Sequence, residues 1–316
     1  MAASSRTVII AALLGNLAIA ITKFLAAALT SSSAMLSEGI HSLVDTGNQI
    51  LLLYGMRRAR APASREFPFG HGKEIYFWSF VVAILIFSMG AGFSIYGGIK
   101  HIRHPELLSD AYVNYIVLTL AMLFEGGAWL LAYRAFAKVK GKRGLIHAVQ
   151  AGKDPTMFVV LFEDSAALLG LVIALVGVAA TQLSGNPVYD GIASILIGCV
   201  LGATAVWMAT ETKGLLIGEA ADEEVVEGIR QILQSSPDVE HVNEILTLHF
   251  GPEFILVNIS LDFRDDIDAG SMELTIGGLD RKIKSVYPLV KRVFVEAESR
   301  RAHQESQRAD MEAPPS

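Results

Sequence analysis

Two pairs of ionisable residues lie inside long apolar segments of the sequence. His41 and Asp45 are four residues apart, and Glu163 and Asp164 are adjacent in a later segment. Residues i and i+4 share one face of a helix, so His41 and Asp45 are expected to point the same way. Imidazole and carboxylate suit a borderline divalent ion such as zinc, which takes four ligands. The pattern predicts a metal site formed where the two segments pack together, with protons competing for the same ligands.

A structural alternative is that His41 and Asp45 only hydrogen-bond to neighbouring helices. Ionisable side chains are costly inside a membrane span, which favours the functional interpretation. Glu38 and Glu125 also lie in apolar segments, and they are predicted to contribute to a proton path or a secondary metal site, or else to helix packing. Lys23 is interpreted as an internal counter-ion or a snorkelling side chain, because an ammonium group repels a metal ion.

The composition indicates a membrane protein. The chain has 316 residues, of which 52% are hydrophobic, and its mean hydropathy is +0.44, whereas soluble domains usually fall below zero. The sequence contains no basic stripe interleaved with aromatic residues, so nucleic-acid binding is not expected. A membrane span needs about 20 mostly apolar residues. Six segments qualify and are predicted to be transmembrane helices: residues 8–29, 34–54, 75–99, 111–133, 157–180 and 188–209.

The orientation follows from the distribution of basic residues, which concentrate in cytoplasmic loops. The loops after the second and fourth spans are strongly basic, with Arg57, Arg58, Arg60, Arg65 and Lys73 in one and Arg134, Lys138, Lys140, Lys142, Arg143 and Lys153 in the other. Only Lys100 and Arg103 lie in the loops on the opposite side. We therefore predict a multi-pass protein of a bacterial-type inner membrane with both termini in the cytoplasm.

The chain is expected to have two domains and a tail. The predicted membrane domain covers residues 1–218, a cytoplasmic domain covers residues 219–298, and the polar tail, residues 299–316, is expected to be disordered. From Glu219 onward the chain has 20 acidic and 10 basic residues. Apolar periodicity in the second domain predicts the order αββαβ, which fits a ferredoxin-like packing of two helices on a small antiparallel sheet.

A glycine-flanked histidine lies before the third span, in the sequence FGHGK at residues 69–73. Two glycines permit an unusual backbone, and His71 is a candidate for a secondary metal site. Lys73 is expected either to anchor the helix at the membrane interface or to form a charge pair with an acidic residue such as Glu219.

Several of these motifs together resemble the cation diffusion facilitator family over nearly the whole chain. They are SAMLSEGIHSLVD at residues 33–45, FGHGK at residues 69–73, DGIAS at residues 190–194 and the αββαβ domain. The segment FEDSAA at residues 162–167, preceded by Asp154 and Pro155, looks like the branch that contains the mitochondrial zinc exporter of animals.

The resemblance implies a homodimer that exports a divalent metal from the cytoplasm in exchange for protons, by alternating access. His41 and Asp45 match the ligand pair of the family's second span, and Asp164 matches the aspartate of its fifth. The family's fifth-span histidine falls on Val160, which cannot bind metal, and Glu163 is the proposed substitute. One nitrogen and three carboxylates fit Zn²⁺ and leave Mn²⁺, Co²⁺, Ni²⁺ or Fe²⁺ open.

The family often has a second metal site in its tail domain. The matching positions here hold Asn243, Ser260, Glu296 and Glu298, which do not form the histidine-rich set, so the domain is expected to serve mainly in dimerisation.

Two other classes of function remain as alternatives to transport. One is an intramembrane metalloenzyme, against which stands the lack of a His-Glu-x-x-His helix. The other is a metal-sensing or scaffolding membrane protein, which would need a convincing ligand set in the tail domain. The prediction is therefore a secondary active transporter rather than an enzyme, without a cofactor, whose substrate is the metal and whose counter-ion is the proton.

Overall fold

The chain forms two compact units. The computed structural model describes residues 2–105, 111–140 and 153–312. The first unit contains Met1–Pro62 and Lys73–Gly214, and the second contains Ala63–Gly72 and Leu215–Ser316. The division after residue 214 lies close to the predicted division after residue 218. The loop Ala63–Gly72 differs from the prediction, because it belongs to the second unit and not to the helical one.

Six long helices make up the described part of the first unit. They are α1 (Ala2–Thr30), α2 (Ser33–Arg58), α3 (Glu74–Arg103, with a π-helical turn at Ile86–Ala91), α4 (Ala111–Lys140), α5 (Pro155–Ser184) and α6 (Val188–Ile217). Five of them, all except α2, are long and apolar enough to cross a membrane. The mean hydropathy of α2 is lowered by its polar residues, among them Glu38, His41 and Asp45. Lys142 and Arg143, which supported the predicted orientation, lie outside the described residues.

The starts of α2 and α5 are fixed by side-chain caps. Ser32 precedes α2, and its Oγ accepts a hydrogen bond from the backbone N–H of Met35 at 3.1 Å. Asp154 precedes α5 and accepts from the N–H of Thr156, with Pro155 in the first position of the helix. Such caps satisfy backbone donors that have no partner within the helix. They set the register from which the ionisable residues of α2 and α5 project.

Helix α2 is the best-surrounded helix of the first unit. It packs against α1, α3 and α5, and α5 packs in turn against α4. Most of its polar residues between Ser33 and Gln49 are buried. A helix that buries its polar face against neighbouring helices keeps these side chains away from lipid, so α2 is built to carry polar groups through the interior of the bundle.

The second unit contains a three-stranded sheet and three helices in its described part. In chain order these are α7 (Glu223–Gln234), β1 (Val239–Gly251), β2 (Phe254–Phe263), α8 (Ala269–Val286), β3 (Val290–Ala297) and α9 (Arg300–Glu312). The predicted order αββαβ is present in α7 to β3. Residues such as Ile229, Val257, Ile259 and Ile283 form its buried core. The prediction of a wholly antiparallel sheet is wrong. The strand order is β1-β2-β3, and β3 runs parallel to β2. The reason is that α8 returns the chain to the starting end of β2, as a crossover connection between parallel strands does.

The tail also differs from the prediction. Residues 300–312 form helix α9 instead of a disordered segment, and residues 313–316 lie outside the described part. The N–H of Arg300 donates to Asp262 Oδ2 at 3.0 Å, and Arg301 pairs with Glu305 one turn later at 2.9 Å. Polar composition suggested disorder, but contacts with the sheet and within the helix order this segment.

Candidate functional site

A row of buried polar side chains runs along one face of α2. Its members are Glu38, His41, Ser42, Asp45 and Asn48, all at most 3% exposed. Their spacing of three or four residues places them above one another on a single helical face. The sequence predicted this arrangement for His41 and Asp45. The structure extends it by one turn in each direction.

The imidazole of His41 contacts the carboxylate of Asp45 within this row. His41 Nδ1 lies 3.3 Å from Asp45 Oδ1, as the i, i+4 spacing predicted. The geometry does not give a hydrogen bond, and neither ring nitrogen of His41 has a hydrogen-bond partner among the described residues. Buried polar atoms normally have partners. A buried imidazole without them therefore has a nitrogen lone pair available for a ligand.

Asp45 also reaches across to α5, where its carboxyl group lies within hydrogen-bonding reach of that of Glu163. Asn48 Nδ2 donates to Glu163 Oε1 at 2.6 Å and holds this carboxylate towards α2. Two buried carboxyl groups in contact cannot both remain ionised without a proton or a cation between them. Sequence reasoning missed Asn48, although its position three residues after Asp45 on the same face was the available signal.

Asp164 and Val160 complete the predicted set on α5. Asp164 is buried, while Val160, one turn earlier, is half-buried. Within residues 2–105, 111–140 and 153–312, no group of three His, Cys, Asp or Glu side chains surrounds a common point closely enough to hold a metal ion. The contacts instead run as a chain from His41 to Asp45 to Glu163. The structure thus brings α2 and α5 together as predicted, without gathering all four side chains around one centre.

A second buried cluster lies next to this chain, around Lys23 of α1. Lys23 Nζ forms ion pairs with Glu38 at 3.1 Å and Glu125 at 3.2 Å, and donates to Ser42 Oγ at 2.8 Å. The prediction that Lys23 is an internal counter-ion is confirmed by these contacts. Glu38 and Glu125, predicted separately, are brought to one point by it. The second sequence interpretation, a snorkelling lysine, is wrong because the side chain is fully buried.

The start of α2 is held by a carboxylate from another helix. Asp190 of α6 accepts hydrogen bonds from the backbone N–H groups of Ser33 at 2.5 Å and Ala34 at 3.1 Å, and from Ser32 Oγ at 2.7 Å. The positive end of a helix favours such an anion. His101 Nε2 of α3 lies 3.9 Å from the same carboxylate. Asp190 therefore fixes the position of α2, and with it the polar row, relative to α6.

Replacing Asp190 with alanine is expected to destabilise the protein by about 3 kcal/mol, because buried donors at the start of α2 lose their acceptor. Asp190→Asn keeps one acceptor oxygen and should lose less. Thermal unfolding in detergent measures both, with Thr210→Ala as a control, since Thr210 is exposed and its hydroxyl donates to the Val206 carbonyl of its own helix. A melting temperature of Asp190→Ala equal to that of the unsubstituted protein would contradict this role.

The remaining predicted residues are His71, Lys73 and Glu219. His71 belongs to the second unit, where its ring lies 4.6 Å from that of Phe67. Lys73 precedes α3 in the first unit and Glu219 belongs to the second, so their predicted charge pair stays a prediction. In the same second unit, the rings of Phe69 and Phe250 are 4.9 Å apart. These contacts attach the glycine-rich loop to the β-sheet.

The tail-domain positions form a hydrogen-bonded network. Asn243 Nδ2 donates to Ser260 Oγ at 3.1 Å and to the backbone carbonyl of Glu298 at 2.8 Å. Ser260 Oγ donates to Glu298 Oε2 at 3.2 Å, and His303 Nδ1 of α9 lies 2.9 Å from the same oxygen. Glu296 is exposed on β3. These polar groups bond to one another, while Asn243 Oδ1 is buried without a hydrogen-bond partner among the described residues. His303 was missed because α9 was expected to be disordered.

The sequence of this chain is similar to those of known proteins. Residues 9–217 match the family described as the cation efflux transmembrane domain. The protein named mitochondrial proton-coupled zinc antiporter SLC30A9 from Xenopus laevis is 33% identical over 243 residues, which cover 76% of this chain and 44% of the relative. Metal tolerance protein C4 of Arabidopsis thaliana is 30% identical over 74% of this chain and 52% of its own length. A cation-efflux pump FieF of Shewanella oneidensis is 26% identical over 76% of both chains.

The chain spans about half the length of the first two of these relatives. The family match itself covers most of the chain, including five of the long helices in full and α1 from residue 9 onward. Together with the apolar helices, it makes the first unit a multi-pass membrane domain. The resemblance predicted from the sequence motifs is confirmed, and the chain belongs to the cation efflux family.

Proposed function

We propose that this protein transports a divalent metal ion, with Zn²⁺ as the preferred substrate, out of the cytoplasm in exchange for protons. The observation that supports this most strongly is the buried chain of contacts from His41 through Asp45 to Glu163. It places an imidazole without a hydrogen-bond partner among the described residues, and two carboxyl groups within hydrogen-bonding reach of each other, inside a multi-pass domain. Ionisable groups are costly to bury within a membrane, because lipid does not solvate them, and we therefore expect these groups to have a function.

The proposed ligands are His41, Asp45, Glu163 and Asp164. One nitrogen and three carboxylates suit Zn²⁺ and are also acceptable to Mn²⁺, Co²⁺, Ni²⁺ and Fe²⁺. Val160 leaves the family's histidine position without a ligand, and the longer side chain of Glu163 stands in for it. Since these side chains do not surround one point in this conformation, metal entry is expected to draw α2 and α5 closer around the ion.

Exchange with protons follows from the same side chains. Without metal, the touching carboxyl groups of Asp45 and Glu163 must hold a proton or another cation between them. A divalent ion that enters replaces it, because ligands bind metal in their deprotonated form. Metal release on the far side then lets protons return, and alternation between the two open states gives antiport. The protein would thus be a secondary active transporter and not an enzyme.

The relatives support this assignment by their names. One is named a proton-coupled zinc antiporter, one a metal tolerance protein and one a cation-efflux pump. The matched segment covers less than two thirds of the first two. The activity of this chain is therefore proposed chiefly from the arrangement of its own residues.

The proposal includes α2 as a sixth membrane span. Its 26 residues exceed the roughly 20 needed to cross the hydrocarbon core. Helices α1 and α5 pack against α2, so that the polar face of α2 does not contact lipid. With six spans and basic loops on one side, both termini lie in the cytoplasm, and the membrane is a bacterial inner membrane. The second unit, of ferredoxin-like type, is proposed to pair two chains into a homodimer.

Reconstitution into proteoliposomes that enclose a pH-sensitive dye tests the function. Addition of Zn²⁺ is expected to change the internal pH, because each metal ion crosses in exchange for protons. Mn²⁺, Co²⁺, Ni²⁺ and Fe²⁺ are compared at equal concentration, and protein-free liposomes correct for leakage. Metal binding without any flux would favour a metal-sensing protein. Absence of metal-dependent proton movement for all five ions would overturn the proposal.

A further inference from the structure

The buried cluster around Lys23 joins three helices. Lys23 comes from α1, Glu38 and Ser42 from α2, and Glu125 from α4. The ammonium group contacts a carboxylate oxygen of each glutamate, and the hydroxyl of Ser42 accepts its third hydrogen bond. Lys23 and Glu38 are completely buried and Glu125 is 5% exposed. An ammonium group has three donors, so all donors of Lys23 are used.

The charges of the cluster do not balance. One ammonium and two carboxylates leave one excess negative charge when all three groups are ionised. Burying a net charge in a medium of low dielectric constant is costly, and one bound proton removes it. The cluster therefore has room for a single proton, and Lys23 sets that number by neutralising one of the two glutamates.

An unpartnered atom marks where that proton would bind. Glu38 uses Oε2 for Lys23, whereas its Oε1 is buried and has no hydrogen-bond partner within the described residues. This oxygen faces Gly170 of α5, where a Cβ atom would collide with it. Gly170 thus makes the space that Glu38 Oε1 occupies. A buried carboxylate oxygen without a donor is costly, and a proton on it removes that cost.

Other charged groups surround the cluster on two sides. On α2, His41 and Asp45 lie one and two turns beyond Glu38, and on α5 Glu163 and Asp164 interact electrostatically with Glu125. Lys23 in turn interacts electrostatically with His41 and Asp45. A divalent cation held by the residues of α2 and α5 adds positive charge next to Lys23 and so disfavours a proton on Glu38. By linkage, that proton equally disfavours the metal.

We propose that Lys23, Glu38 and Glu125 form a proton-binding site distinct from the metal-binding residues, in which Glu38 gives up one proton when metal binds and regains it when metal leaves. The O–H bond at Glu38 Oε1 breaks on metal entry and the proton passes to water. The same bond forms again from water after metal release. This inference rests on the proposed transport function, and it adds a second proton-carrying group that does not touch the metal.

The test counts the protons released when Zn²⁺ binds to the full-length protein in weakly buffered detergent solution, with a pH dye for protons and calorimetry for metal. Glu38→Gln keeps the shape of the side chain and an acceptor for Lys23. It is expected to bind Zn²⁺ and to release about one proton fewer per metal ion than the unsubstituted protein. Glu125→Gln should show the same decrease, because it makes the cluster neutral without a bound proton.

Two further variants control the measurement. Glu38→Asp keeps an ionisable group and should restore the released proton. Glu240→Gln, an exposed substitution on β1, should leave the count unchanged. If both glutamine variants release as many protons as the unsubstituted protein, the separate proton site is wrong while transport stands. If the unsubstituted protein binds no Zn²⁺, the proposed function fails and this inference fails with it.

Discussion

Asp45→Asn is expected to lower the rate of metal transport by about 100-fold or more. Loss of a residue that only supports a metal ligand already lowers metal affinity or activity by about 10- to 100-fold, and Asp45 is proposed to bind the metal directly. The carboxyl group of Asp45 contacts His41 on its own helix and lies within hydrogen-bonding reach of Glu163 on α5. Asparagine has nearly the same shape, so packing is preserved. It removes the negative charge that a divalent ion needs and the ability to carry a proton in its place.

The measurement is metal-driven acidification or alkalinisation of proteoliposomes, with radioactive Zn²⁺ uptake as an independent readout. Asp280→Asn serves as the matched control, because Asp280 forms a surface ion pair with Lys284 at 2.6 Å, and such pairs contribute little to stability. The melting temperature in detergent establishes that both variants are folded. Normal transport by Asp45→Asn would contradict the proposal that this carboxylate binds the metal.

The local part of the site was predictable from the sequence. Helical periodicity alone placed His41 next to Asp45, and their atoms are 3.3 Å apart in the structure. The same logic could have found Asn48, which lies on the same face. The cost of ionisable groups in apolar segments singled out Lys23, Glu38 and Glu125 one by one. Their types and burial were therefore evident before the fold was known.

The partners across helices were not predictable in this way. Nothing in the spacing of Lys23, Glu38 and Glu125 says that three different helices bring them to one ammonium group. The same holds for Asp190, which caps the start of α2 from more than 150 residues away along the chain. Such contacts depend on how helices pack, which is set by many weak interactions spread over their surfaces.

Two predictions about the second unit were wrong, each for a local reason. Alternation of apolar residues identifies a strand but does not give its direction, and so β3 was expected to be antiparallel. Its direction is set by α8, whose length allows the crossover to a parallel strand. Helix α9 was missed because a polar segment was equated with disorder. Its contacts with Asp262 and Glu298 in the sheet region hold it instead.

Glu163 is the proposed substitute for the family's histidine, whose position is held here by Val160. Val160 lies one turn before Asp164, and Glu163 lies three residues after Val160, so the three share a face of α5. Glu163 is turned towards α2 by Asn48 and contacts Asp45. We propose that this carboxylate, on its longer side chain, acts in the place of a histidine at position 160. This compensation can be tested by exchanging the two.

Glu163→Gln is expected to lower the rate of metal transport by about 10- to 100-fold. The double variant Val160→His with Glu163→Gln should transport at least about 10-fold faster than Glu163→Gln alone. The added imidazole supplies the ligand that the amide cannot. Val160 is half-buried, so a larger side chain can be accommodated there. Transport is measured in the same proteoliposomes, over a series of metals, since a second nitrogen ligand should favour Zn²⁺ over Mn²⁺.

The matched control is Val160→Phe with Glu163→Gln, which adds a ring of similar size that cannot bind metal. Equal recovery with phenylalanine would mean that packing and not coordination is restored, and full transport by Glu163→Gln alone would mean that Glu163 is no ligand. Recovery with histidine only would establish that Glu163 takes the place of a histidine at position 160 on the same face of α5. Asn48, which orients Glu163, would then be unnecessary in the double variant, and Asn48→Ala should impair the unsubstituted protein far more than it impairs the one with His at position 160.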